Sequence, residues 1–500
     1  MQAISSPMHS MTNFSSAGIL LDLNYQGITP SQWGLLLEKA SQAKIAQRVA
    51  AMFAGDILNQ SEARPVLHTA LRNLSNTPVY VNAQDVMSEV RMVWEKMSIL
   101  CDECDGITDL IHIGIGGSVF GPELVVRALE NLPKTKSRGM RIHFAANIDA
   151  EELSRIFKVA NPLTTKVIIV SKTFSTTETL MNAIAVKNWL QANGCSIEHI
   201  ENCLIAVTAN INKANDFGIV KENIFPFWDW VGGRFSVWSA VGLCIALQYG
   251  FDVFMEFLKG AHSMDEDFRK IPQERNLPIL MALALIHQQR KYGVDAYALI
   301  PYANALSLMP LWLQQLEMES HGKRVGHHGD PITYSSPVVF GSVGSNAQHS
   351  YFQLLHQGKQ IIPVDFVTVI EPMSDIPEAE MHHRVLMANC LAQAQALALG
   401  KASDIPNEAY LGGKPSNLIL LPKLDAYHLG VLLALYENRA VALGILWGIN
   451  SFDQPGVELG KQLAKPIDQA LQQPGPVECG LIDQITSQRI QFLKGMTPSL

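Results

Sequence analysis

Hydrophobic positions follow two different patterns along the chain. Over the first hundred residues, apolar side chains recur at helical spacing in 36–54, 66–74 and 83–96, and no strand pattern stands out. From about residue 107, short apolar runs alternate with helical stretches. The runs at 110–115, 166–171 and 203–209 are expected as strands, with helices over 122–132 and 177–192. The same alternation returns with strands expected at 296–301, 338–344, 361–369 and 417–424, and helices at 304–321, 346–357 and 426–447. Strand, turn, helix, strand is the pattern of a parallel sheet covered by helices on both faces. The expected fold is therefore α/β, with two such units at roughly 100–250 and 270–440. Their likeness is one of pattern and not of residues. The tail, 450–500, is expected to be helical, broken at Pro455, Pro466, Pro474 and Pro476.

Composition narrows this picture. The chain has 500 residues, too many for one compact domain. With 48% hydrophobic and 17% charged residues it can fill large cores, which excludes disordered and collagen-like classes. A formal charge of −8 argues against a general nucleic-acid or membrane-surface binder, and leaves room for a local site for a small anion. Seven cysteines, an odd number, make no disulfide framework. Cys101 and Cys104 form a CxxC pair, but Asp102, Glu103 and Asp105 surround it and raise the thiol pKa, the wrong direction for redox chemistry. The first Lys or Arg is Lys39, so no basic leader is read. The apolar runs 235–248 and 426–449 are interrupted, the second by Glu437, Asn438 and Arg439, and are expected as buried core helices. A cytoplasmic protein is expected.

In open α/β sheets ligands bind at the carboxyl ends of strands, so the loops after strands are the places to search. Gly114-Ile115-Gly116-Gly117-Ser118 is a Gly-rich turn after a strand, open either to a ligand or simply to a tight turn. Val119 stands where a dinucleotide fingerprint needs its third glycine. Ser171-Lys172-Thr173-Phe174-Ser175-Thr176-Thr177-Glu178-Thr179 puts six hydroxyls and one ammonium at a helix start. Capping uses one or two; the surplus favours a phosphate dianion, and a sugar phosphate over ATP, because no Walker pattern is present.

Further candidates supply acid, base and cation. Arg234, after Gly232 and Gly233, is placed to face a cleft and to stabilise an oxyanion. Gln315 and Glu319 are four apart on one expected helix, and a carboxylate near a helix end suits a general base. His349 is expected to open the helix after strand 338–344. Asp453 could cap a helix carrying Gln454 and Lys461 on one face. His327-His328 and His382-His383 lack metal-ligand spacing, so no metal and no cofactor is assigned. Taken singly, most of these residues fit ordinary structural roles equally well.

Together they resemble the glucose-6-phosphate isomerase family. The motifs Gly-Ile-Gly-Gly-Ser, Ser-Lys-Thr-Phe-Ser-Thr-Thr-Glu-Thr, Val-Gly-Gly-Arg-Phe-Ser, Gln-x-x-Met-Glu-Ser-x-Gly-Lys, Asn-x-Gln-His-x-x-x-Gln-Leu-x-His-Gln-Gly and Phe-Asp-Gln-x-Gly-Val-Glu-x-Gly-Lys stand in that family's order. So does Glu62-Ala63-Arg64-Pro65-Val66-Leu67-His68-Thr69-Ala70-Leu71-Arg72. The resemblance implies two parallel-sheet α/β sandwich domains of sugar-isomerase type, with helical segments at both ends. Boundaries would fall at 1–100 (a helical segment packing on the second domain), 101–250, 251–449 and 450–500. It implies reversible conversion of glucose 6-phosphate and fructose 6-phosphate, in glycolysis and gluconeogenesis, by a homodimer whose sites are shared between subunits. Gly117 and Ser118 would contact sugar; Ser171, Lys172, Thr173, Ser175 and Thr176 would bind phosphate. Arg234 would stabilise the enediolate and Glu319 would move the proton. Gln315 and Gln454 would position substrate. His349 and Lys461 would assist ring opening, with Glu178 orienting the histidine. Leu316-Glu317 and His321 depart from the family's common Gly-Asp and Asn, and Glu317 is expected to act on Glu319 through like charge. A sugar-phosphate sensor without turnover is the competing class; the presence of both Glu319 and Lys461 favours the enzyme.

Overall fold

The computed structural model describes residues 13–132, 137–473 and 482–496. By contacts the chain divides into two units between Ser451 and Phe452. In the first unit, β1 (Asn13–Ser16) and β2 (Ile19–Asp22) form a hairpin, and β3 (Tyr80–Val81) and β4 (Gln84–Asp85) a minimal one.

One sheet is wholly parallel. It comprises β5 (Asp109–Ile113), β6 (Arg141–Ala145), β7 (Thr165–Val170), β8 (Leu204–Thr208) and β9 (Ile224–Pro226), in the order β6-β5-β7-β8-β9. All five residues of β5 are buried, as expected for a strand covered on both faces. Ile111, Val167, Ile169 and Ala206 pack with Val186 and Leu190 of the helix Thr177–Ala192. The polar member Asp109 is satisfied by Arg141, His143 and Thr108.

The other sheet contains β10 (Ala296–Tyr302), β11 (Val338–Phe340), β12 (Val364–Val369) and β13 (Ser416–Leu421), mutually parallel. The N-terminal hairpin extends it antiparallel, with Leu21 opposite Ile419, so the order is β1-β2-β13-β12-β10-β11. This hairpin corrects the expectation of a helical segment without strands. Its strands are four residues each, too short for alternation to show, and they turn through Ala17 and Gly18, both at positive φ. Strand β6 was likewise not expected: it is an edge strand in which Arg141 and His143 interrupt the apolar run.

Other departures have similar causes. Residues 66–74 are turns around a single 3₁₀ turn, Ala70–Arg72, because Val66 through Arg72 is buried on every side and has no amphipathic face. The expected helix 304–321 breaks into a 3₁₀ turn, the helix Met309–Gln314 and a π-helical turn, Gln315–Glu319. The expected helix 346–357 is two short helices, Gly344–Gln348 and Phe352–Gln357.

The helix Ala426–Trp447 agrees with its pattern. It is long and apolar enough to cross a membrane, yet its apolar window lies entirely inside the core. Its polar interruption is filled from within: Glu437 pairs with Arg72, and Arg439 with Glu317 and Asp365. The second unit holds a 3₁₀ turn, Pro455–Val457, and the helices Glu458–Gln472 and Gln484–Met496. Pro466 lies inside the first of these and does not break it. Pro474 and Pro476 fall outside the described residues.

Candidate active site

Four segments carry the candidate chemistry, and two of them directly follow the parallel strands β5 and β7. After β5, Gly116–Ser118 makes a 3₁₀ turn with Gly116 at φ 60°. His112, buried inside β5, donates to the Ser118 carbonyl at 2.7 Å; burial pushes its pKa down to about 4, so it is a neutral brace. A Cβ on Gly117 would lie 2.2 Å from the backbone carbonyl of Gly233 and 2.5 Å from the Arg234 nitrogen. Glycine is required there because two backbone turns touch, and that contact brings Arg234 beside the Gly-rich turn.

Arg234 lies in the 3₁₀ turn Gly233–Phe235 and is buried: its side chain is 2% exposed. Its Nε donates to Ser320 Oγ at 2.7 Å and its Nη2 to the Ser451 carbonyl at 2.6 Å. Its Nη1 lies 3.5 Å from Glu319 Oε1. The other carboxylate oxygen of Glu319 accepts from Gln315 Nε2 at 2.8 Å. Gln315 in turn sits 3.0 Å from where a Cβ on Gly116 would be. Gly116, Gly117, Arg234, Gln315 and Glu319 therefore form one group, with a half-exposed carboxylate held between an amide and a buried guanidinium. A π-helical turn, the geometry seen here for Gln315–Glu319, is often found at functional positions.

The loop after β7 lies next to this group through its lysine. Lys172 Nζ donates to the carbonyls of Asp229 and Val231, both at 3.0 Å, and so fixes the segment leading to Gly232, Gly233 and Arg234. Burial lowers its pKa, opposed by Asp229. Phe174 takes a positive φ of 46° with its ring buried against Phe217 at 5.8 Å, and this turns the loop. Ser171 and Thr176 hydroxyls meet at 3.2 Å, and Ser175 donates to Thr173 at 2.8 Å. Lys172, Thr173 and Ser175 line an open cavity of about 680 Å³ with Asn210 and Lys213. Donor groups at a helix N-terminus beside two lysines suit a small dianion.

This arrangement sets a half-buried carboxylate against a buried guanidinium, with a lysine and hydroxyl donors in the neighbouring loop. Residues 22–480 match the family model described as phosphoglucose isomerase. The chain belongs to the phosphoglucose isomerase family. It is 42% identical to a glucose-6-phosphate isomerase of Cupriavidus metallidurans over 481 residues, covering 92% of this chain and 88% of that protein. It is 42% identical to one of Pseudomonas aeruginosa over 513 residues, covering 97% and 91%. Among solved structures, a glucose-6-phosphate isomerase of Chlamydia trachomatis superposes with a TM-score of 0.86 at 30% identity, covering 97% of this chain and 93% of that one.

Four further residues match the family's motifs. His349 does not open a helix; it ends the short helix Gly344–Gln348, with its side chain exposed. Glu178, half-buried, lies in the first turn of the helix Thr177–Ala192. Among the described residues, no side-chain hydrogen bond or ion pair joins either of them to the group. In the second unit Gln454 is the cap of the 3₁₀ turn Pro455–Val457, in place of the expected Asp453, and precedes the helix that carries Lys461. The Lys461 ammonium is 2.8 Å from Glu458.

Three residues that the sequence reading did not assign also act here. Ser320 and the Ser451 carbonyl hold Arg234, and Asp229 holds Lys172. Ser320 adjoins Glu319 in a quoted motif and was findable; a backbone carbonyl leaves no sequence signal. Glu317 also differs from expectation. It is buried and paired with Arg439, so its charge is already met within the core. Cys101 and Cys104 are buried thiols whose pKa burial raises, Cys101 to about 12. Among the described residues no group of three or more His, Cys, Asp and Glu could hold a metal ion.

Proposed function

We propose that the group around Glu319 carries out aldose–ketose isomerisation of a six-carbon sugar phosphate, interconverting glucose 6-phosphate and fructose 6-phosphate as the family does. The enzyme is an intramolecular oxidoreductase. What carries the reading is Glu319 held by Gln315 on one oxygen and lying 3.5 Å from Arg234 on the other. A base that shuttles a proton between C2 and C1 must stay in place while charge develops on the sugar oxygens. A guanidinium in a water-poor site stabilises that enediolate strongly, because its charge is screened little and needs no reorganisation.

The phosphate would sit on the donors of Ser171, Lys172, Thr173, Ser175 and Thr176, anchoring the sugar. Gly117 and Ser118 would receive its ring. His349, Lys461, Gln454 and Glu178 take their roles (ring opening, substrate positioning and orientation of the histidine) from the family pattern alone. The exposed side chain of His349 fits donation across a homodimer interface. A cytoplasmic location is part of the same proposal.

Fructose 6-phosphate incubated with the protein in D2O should gain deuterium at C1, and the glucose 6-phosphate formed should gain it at C2. The Glu319→Gln variant should do neither. Binding of fructose 6-phosphate with no exchange by the unaltered protein would instead make it a sensor.

A further inference from the structure

The π-helical turn bearing Glu319 is fastened on both sides of that residue to one core helix. Two residues before Glu319, the buried Glu317 accepts from Arg439 Nη2 at 2.9 Å and Nε at 3.2 Å. Two residues after it, the buried His321 lies with Nδ1 3.0 Å from Glu317 Oε2 and Nε2 2.9 Å from the Ala440 carbonyl oxygen. The two attachment points, Arg439 and Ala440, are consecutive residues of the helix Ala426–Trp447. Arg439 is in turn held by the sheet. Its Nη1 donates to Tyr297 Oη at 2.5 Å and lies 3.4 Å from Asp365 Oδ2, which also accepts from Tyr436 at 2.7 Å. Asn417 donates to the other Asp365 oxygen at 2.7 Å. Strands β10, β12 and β13 and the core helix therefore all converge on Glu317.

A buried ion pair is weak evidence for stability, because apolar residues of the same volume often serve as well. What this one supplies is a fixed direction. A π turn has one residue more than the α register, and with Glu317 and His321 tied down, the carboxylate of Glu319 faces Gln315 and Arg234. We propose that Glu317 and His321 are positioning residues, which hold the catalytic base in line with Arg234 through the Glu317–Arg439–Asp365 network. The proposal rests on Glu319 being the base of the isomerisation proposed above.

Glu317→Gln keeps the shape, removes the charge and turns one of the two acceptor oxygens into a donor amide. It should lower kcat on the order of 10²-fold, the cost of misplacing a reacting group by about 1 Å. KM for fructose 6-phosphate should stay within about twofold, since the loop 171–176 is untouched. His321→Gln is the second variant, used with the same split should Glu317→Gln fail to fold. A folded variant with wild-type kcat overturns the proposal, as does a fall in activity that only tracks the folded fraction. A crystal structure of the variant gives a readout independent of turnover. Glu319 should have left its contacts with Gln315 and Arg234. Glu319 unmoved overturns the inference even if the unaltered protein proves inactive. Glu319 displaced in a protein whose parent is inactive overturns only the assigned activity.

Discussion

Two buried glutamates, Glu317 and Glu437, show how far one residue type can be driven in opposite directions by its neighbours. Burial raises the pKa of Glu437 to about 7, against the pull of Arg72 and Trp238, because Asp265 already shares that arginine. Burial acts the same way on Glu317, but Arg439 and His321 outweigh it and hold the carboxyl down at about 2. The signs of the resulting pH dependence therefore differ. In the folded chain Glu437 keeps a proton that the unfolded chain loses near 4.5, so stability falls as pH rises from about 4.5 to about 7. Glu317 contributes stability above about 4.5, which is lost as pH falls toward about 2. Denaturation midpoints measured against pH should flatten between 4.5 and 7 in Glu437→Gln, and below 4.5 in Glu317→Gln. Curves parallel to the parent's in either window would contradict the assignment. Neither environment was legible in the sequence. Glu437-Asn438-Arg439 reads only as an interruption of an apolar run, and the partners Arg72, Asp265, Glu317 and Asp365 are distant along the chain.

At the scale of elements, the sequence is informative where a segment has one clear periodicity and silent where tertiary contact decides. The helices Thr177–Ala192 and Ala426–Trp447 and the strands β5, β7, β8, β10, β12 and β13 all follow from their patterns to within a few residues. The N-terminal hairpin does not, because four residues cannot display a period. The π-helical turn was read as plain helix, since Gln315 and Glu319 are neighbours in both geometries. The contact of the two glycine turns could not be read either, yet it places Arg234. Gly117→Ala should force the Gly233–Phe235 turn away, since the atoms a Cβ would meet are backbone and cannot swing aside. The expected loss in kcat/KM is on the order of 10²-fold, with Arg234 displaced. Gly34→Ala, in the helix Pro30–Gln42 with nothing within 4 Å of the added carbon, is the control and should keep full activity. Equal activities of the two variants would show that the close approach does not matter.

For the whole molecule, family membership rests on a match running through nearly the entire chain. The order of the motifs made it readable from sequence, although no single motif did. The proposed sharing of the site between subunits is tested at the exposed His349. Mixing the inactive variants His349→Ala and Glu319→Gln should restore part of the activity in hybrid dimers, because one site then has both residues intact. No recovery, with subunit exchange verified by mass, would contradict a shared site.

The most direct test of the central claim is turnover of fructose 6-phosphate by the purified protein, with no metal or nucleotide added. Glucose 6-phosphate would be detected through a coupled dehydrogenase. The account predicts steady turnover, lowered by at least about 10²-fold in Glu319→Gln while the variant still binds fructose 6-phosphate by calorimetry. Undiminished turnover in Glu319→Gln, or binding without turnover by the unaltered chain, would contradict it.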